Sequence, residues 1–121
     1  MADSHTEMII GAAIEVHRIL GPGLLESIYE EALCHEFDLC NIPYERQVVV
    51  EVHYKDKIIH GQRIDLIAFE QVVIEIKSVR ALPDTATAQV LSYLKATGLK
   101  RALLINFGAY RLAQGIKRIS L

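Results

Sequence analysis

The run Val72-Val73-Ile74-Glu75-Ile76-Lys77 constrains the fold more than any other stretch of the chain. It is rich in β-branched residues and apolar on both faces, interrupted only by Glu75 and Lys77. An extended segment that is apolar on both sides must be covered on both sides, which marks a central strand of a layered α/β sheet. Arg101 to Asn106 has the same texture and reads as a second buried strand. Helical patterns surround these strands. Ser4-His5-Thr6-Glu7 reads as a capping box that starts a helix running to about Leu20, with Ile10, Ala13, Ile14 and His17 on its inner stripe. Gly21-Pro22-Gly23 stops it. A second helix is expected from about Leu24 to Cys40, on the spacing of Leu25, Ile28, Tyr29, Ala32, Leu33 and Phe37. Strands follow at Arg46 to Tyr54, with Val48, Val50 and Val52 on one face, and at Ile58 to Phe69, with a break at Gly61. Pro83-Asp84 opens a third helix that Gly98 closes. Arg111 to Ser120 adds a short edge strand. The order is α-α-β-β-β-α-β with a final strand, an α/β fold with one mixed central sheet flanked by helices.

A chain of 121 residues suits a single domain, residues 1–121. Its 51% apolar content supports a core and argues against disorder. The longest near-apolar run, Met8 to Ile14, is far short of the ~20 residues of a spanning helix. The polar N-terminus carries Asp3 and Glu7 and does not resemble a signal peptide, so a cytoplasmic protein is expected. Cys34 and Cys40 fall in one helix and out of phase, which points to free thiols rather than a disulfide or zinc site. Charge is uneven. Residues 1–76 hold 5 Lys/Arg against 14 Asp/Glu, and residues 77–121 hold 8 against Asp84 alone. Either the second half faces a polyanion or the two halves neutralise each other across the fold.

Charged residues inside a buried sheet are costly unless they pair or hold a metal. Glu75 and Lys77 leave the same face of their strand. Asp65 lies on the preceding strand, and the connection decides where it points. A two-residue turn at Glu70-Gln71 sets Asp65 opposite Ile76, on the wrong face. A three-residue turn, Phe69-Glu70-Gln71, or a bulge, sets it opposite Glu75. The irregular register is expected. Two converging carboxylates suit Mg²⁺ or Mn²⁺, with the Ile76 carbonyl as a further oxygen ligand. Lys77 then orients water or offsets charge on a phosphate. The competing reading is a structural ion pair of Lys77 with Glu75 or Asp65. Gln89 and Tyr93 share one face of the third helix, suited either to phosphate and substrate or to a solvated boundary. Glu26, in the first turn of the second helix, either answers the helix dipole or adds a carboxylate to the metal.

The spacing Gly23-x-x-Glu26-x-x-Tyr29 resembles the signature of the GxxExxY proteins, small bacterial and archaeal members of the PD-(D/E)XK nuclease-like superfamily. The resemblance extends over nearly the whole chain. It runs from Ile9-Ile10-Gly11-Ala12 through Pro43-Tyr44-Glu45-Arg46-Gln47 and Arg63-Ile64-Asp65-Leu66. It continues through Val73-Ile74-Glu75-Ile76-Lys77 and Gln89-x-x-x-Tyr93 to Leu104-Ile105-Asn106-Phe107-Gly108. It implies an αβββαβ core with an extra N-terminal helix. It implies Asp65 as the first motif acid, Glu75 and Lys77 as the (D/E)-x-K pair, Glu26 as the helical acid, and Gln89 with Tyr93 as the helix of the exonuclease branch. Ile64 stands where the motif name has Pro.

The expected function is a Mg²⁺-dependent nuclease with catalytic Asp65, Glu75, Lys77, Gln89 and Tyr93. Its metal ligands are Glu26, Asp65, Glu75 and Ile76. Arg80, Lys95, Lys100 and Arg101 are the expected phosphate contacts on nucleic acid, DNA first. The alternative is a non-catalytic nucleic-acid- or protein-binding module on the same fold, in keeping with an acidic pI near 6.2. A homodimer is expected for a core this small. A small-molecule hydrolase finds no motif, and the five histidines are scattered. His17 reads as a hydrogen-bonded boundary residue.

Overall fold

The computed structural model describes residues 3–121. Its elements are α1 (Ser4–Leu20), α2 (Glu26–Leu39), β1 (Tyr44–Tyr54), β2 (Lys57–Ala68), β3 (Val72–Lys77), α3 (Asp84–Thr97), β4 (Arg101–Asn106) and β5 (Ile116–Ser120). A single 3-10 turn, Leu112–Gly115, precedes β5. The sheet has five strands in the order β1-β2-β3-β4-β5. Only β3 and β4 are parallel, Val72 opposite Arg101 and Lys77 opposite Asn106. A parallel pair needs a crossover, and α3 supplies it.

Both faces of β3 are covered, as its composition requires. Ile74 and Ile76 pack with α1 and α2 through Ile9, Ala13, Tyr29, Leu33 and Phe37. Val73 packs with α3 through Ala86, Val90 and Leu94. Among the described residues no helix is long and apolar enough to cross a membrane.

Three local expectations are corrected. Asp3, not Ser4, caps α1: its carboxylate accepts from the backbone of His5 and Thr6, while Glu7 reaches out to Arg118. A carboxylate one residue earlier satisfies the same free amides, so the box is not needed. The inner stripe of α1 is Ile9, Ala12, Ala13 and Val16, with Ile14 exposed. The helix has apolar residues on adjoining stripes, and periodicity alone did not separate them. Gly61 does not break β2; the strand passes it beside a register shift between Val50 and Val52 of β1.

β1 and β2 also change face together. Tyr44 packs on the α1–α2 side, but Val48 and Val50 pack on the α3 side. On β2, Ile64 packs towards α3 and Leu66 towards α1–α2, although they are two apart. The reversal falls at Gln47, whose φ is 55°, and at Asp65. A left-handed residue turns the strand over and curls the outer hairpin onto α3.

Candidate active site

The loop after β2 fixes the register. β2 ends at Ala68 and β3 starts at Val72, so Phe69, Glu70 and Gln71 form a three-residue turn. Phe69 and Glu70 both take positive φ, 57° and 58°. The Phe69 ring stacks on His5 with centroids 4.1 Å apart, which helps hold this unfavourable backbone. Leu66 then faces Ile74, and one further step sets Asp65 beside Glu75. The ladder stops there. The Asp65 carboxylate takes over, its Oδ2 accepting from the Ile76 amide at 2.8 Å.

Glu75 is 4% exposed and leaves β3 on the α3 side, as Val73 does. Its Oε2 lies 3.5 Å from Lys77 Nζ. Its Oε1 is buried with no hydrogen-bond partner among the described residues. Burial, then the neighbouring Asp65, pushes the Glu75 carboxyl up to about 8, and Lys77 only partly opposes this. Burial also raises Asp65, against the Ile76 amide and the proton held on Glu75; Glu30 and Glu26 add to the rise. Two carboxyls this close and this dry do not both ionise without a cation. The unpartnered Oε1 and the paired oxygens beside it therefore fit Mg²⁺, which needs one or two carboxylates and keeps several waters.

Lys77 connects this pair to a cavity of about 410 Å³ between α2 and α3, lined also by Glu26 and Gln89. Glu26 is the first residue of α2, and the turn before it is tightly held. Gly23 has φ 104°. The Tyr29 hydroxyl donates to the Gly21 carbonyl at 2.5 Å and accepts from the Leu24 amide at 3.1 Å. The Tyr29 ring stacks on Phe107 with centroids 4.6 Å apart. Ser78 Oγ donates to the Leu24 carbonyl at 2.6 Å, tying the turn to the residue after Lys77. The Gly23, Glu26 and Tyr29 positions thus act as one device: Tyr29 locks the turn that presents Glu26 to the cavity.

Tyr93 is 2% exposed, and burial followed by the charges of Glu75 and Asp65 pushes its phenol up to about 12. It stays protonated, close enough to the acids to feel their charge. The Gln89 side chain, one helical turn before it, opposes that rise.

The model of the PD-(D/E)XK nuclease superfamily matches residues 3–119. The chain belongs to the PD-(D/E)XK nuclease superfamily. No curated protein and no solved structure gives a match.

Other expected residues of this PD-(D/E)XK chain are not brought to the acids. Among the described residues no three His, Cys, Asp or Glu side chains gather into a metal-holding group, so Glu26 faces the cavity without completing a three-acid set. Ile76 meets Asp65 through its amide. Arg80 is exposed beside a neighbouring cavity. Lys95 lies in the last turn of α3, and Lys100 and Arg101 lie at the start of β4. Because β3 and β4 are parallel, that is the sheet end opposite Lys77. Arg101 is also engaged, pairing with Asp3 and bonding Gln71.

Several residues that position the site were not singled out as site residues. Asn106, 4% exposed at the end of β4, accepts from the Val79 amide and donates to the Val79 carbonyl, both at 3.0 Å. A Cβ on Gly108 would stand 2.3 Å from the Val79 carbonyl oxygen, so only glycine allows this approach. Together they pin the strap that follows Lys77. The signal was a polar residue closing an apolar strand. Glu30, 8% exposed, accepts from Arg46 at 2.7 Å and from Gln47 at 2.8 Å. It lies four residues after Glu26, on the same face of α2. His17 is a boundary residue bonded to the Ala109 carbonyl at 2.8 Å, as its position on α1 implied.

Proposed function

We propose that this chain is a divalent-cation-dependent nuclease that hydrolyses phosphodiester bonds of nucleic acid, and that it is a GxxExxY protein. The observation that carries this reading is the buried Asp65–Glu75 pair, one oxygen of it unpartnered, with the Lys77 amine 3.5 Å away at the mouth of a cavity. Asp65 and Glu75 would hold Mg²⁺ or Mn²⁺. When bound, the cation supplies Lewis-acid polarisation of the phosphate and acidifies water beside it. The protein does the rest. Lys77 donates hydrogen bonds to attacking water or to charge growing on the phosphate. Gln89 binds a phosphate oxygen from the opposite wall. Glu26 adds negative charge across the cavity and orders water there, and Tyr93 holds the acids in place.

The remaining expectations stand with this proposal: one domain, a cytoplasmic protein, and a homodimer that would cover exposed apolar residues such as Val49, Tyr54 and Ile58 on the outer hairpin. Light scattering tests the dimer.

Cleavage of labelled oligonucleotides with Mg²⁺ or Mn²⁺ tests the activity. Lys77→Ala is expected to lower the rate roughly 10²–10³-fold. Equal cleavage by wild type and Lys77→Ala contradicts the catalytic assignment. A second reading, a binding module without catalysis, is favoured by the Lys77–Glu75 pair at 3.5 Å, which also suits a structural ion pair. It predicts binding without cleavage at any divalent-ion concentration.

A further inference from the structure

A second cavity, of about 380 Å³, lies on the other side of the strap that follows Lys77. Arg80, Leu82, Asn106, Tyr110 and Gln114 are among the residues that line it, and none of the residues lining it is acidic. Tyr110 is 85% exposed, the most exposed large apolar side chain among the described residues. Among the described residues its hydroxyl makes no hydrogen bond and its ring meets no other aromatic ring or cation. Arg80 is exposed and makes no ion pair among the described residues, unlike Arg18, Arg46, Arg101 and Arg118. The wall between the two cavities is rigid. Asn106 holds both polar groups of Val79, and Gly108 lies against the Val79 backbone. The Val79 backbone between Lys77 and Arg80 is therefore held in place.

Resting on the nuclease reading, we infer that this cavity is a nucleotide subsite for an unpaired base next to the scissile phosphate. An exposed aromatic ring offers a stacking face to any base, a free guanidinium takes the adjoining phosphate, and the Gln114 amide reaches the base edge. In a duplex the base is already stacked and paired, so its face is not available to Tyr110. The preferred substrate class is then single-stranded nucleic acid, or a duplex with a frayed or flapped end. Stacking does not read the sugar, so this subsite accepts DNA and RNA alike.

Fluorescence anisotropy in EDTA tests this without cleavage. The probes are a labelled single-stranded oligodeoxynucleotide, the RNA of the same sequence, and the blunt DNA duplex. Tyr110→Ala is expected to weaken binding of both single strands about tenfold. Tyr110→Phe, which keeps the ring, is expected to bind them as wild type does. Duplex binding should not change in either variant. The inference is overturned if Tyr110→Ala binds single strands as wild type does, if it weakens the duplex equally, or if wild type binds no single strand. If the subsite inference alone fails, wild-type cleavage and its dependence on Lys77 remain, whereas failure of the nuclease reading removes them.

Discussion

Glu75 is the residue on which the chemistry turns, and its burial has a consequence for stability. Its carboxyl is pushed from 4.5 in a free chain up to about 8 in the fold. Between those values the folded chain holds a proton that the unfolded chain releases. Metal-free protein should therefore be most stable at the acid end of this window and lose stability as pH rises towards 8. Denaturant unfolding in EDTA at several pH values checks this. Glu75→Gln should flatten the dependence, and an unchanged slope would show that the carboxyl is not buried as described. The charge pattern of Glu75 and Lys77 within an apolar strand was legible in the sequence, because polar residues in a covered strand need a reason. The place of Asp65 was legible only as a choice between two turns. Phe69 and Glu70 in left-handed conformation decide it, held in part by stacking on His5, a contact no local pattern announces. Gln47 is less legible still, since nothing about glutamine signals a positive φ.

Among the elements, the start of α2 does the most to shape the site. Tyr29→Phe keeps the stack on Phe107 but removes the hydroxyl that bonds Gly21 and Leu24. Losing these part-buried hydrogen bonds should cost about 0.5–1.5 kcal/mol, measurable by thermal or chemical denaturation. Cleavage should also fall, because Glu26 is no longer held against the cavity. An unchanged midpoint would mean that the turn is held by Ser78 alone. Helix and strand order followed the hydrophobic periods closely, since long periodic segments report their own structure. Helix faces did so less well. Leu25 and Ile28 have the right spacing for the core of α2 but are exposed, while Glu30 is buried through its bonds to Arg46 and Gln47. Which stripe is covered depends on the partner surface, and a helix's own sequence does not contain that.

For the whole molecule, the acidic first half and basic second half proved to be partly complementary. Arg101 meets Asp3 and Arg118 meets Glu7, pairs that link distant parts of the chain. A block of cations in sequence is not a face in space, because the β3–α3–β4 crossover carries Lys95, Lys100 and Arg101 to the far end of the sheet. Arg80→Ala should reduce the salt slope of nucleic-acid binding by about 1, while Lys100→Ala with Arg101→Ala should leave it unchanged. The reverse result would move the nucleic acid to the opposite end. The cleavage reading depends on a cation seated between Asp65 and Glu75, and titration calorimetry with Mn²⁺ tests that most directly. Wild type should bind Mn²⁺, and both Asp65→Asn and Glu75→Gln should lose that binding while remaining folded. Wild type that takes up no Mn²⁺, or variants that bind it equally well, would contradict the account.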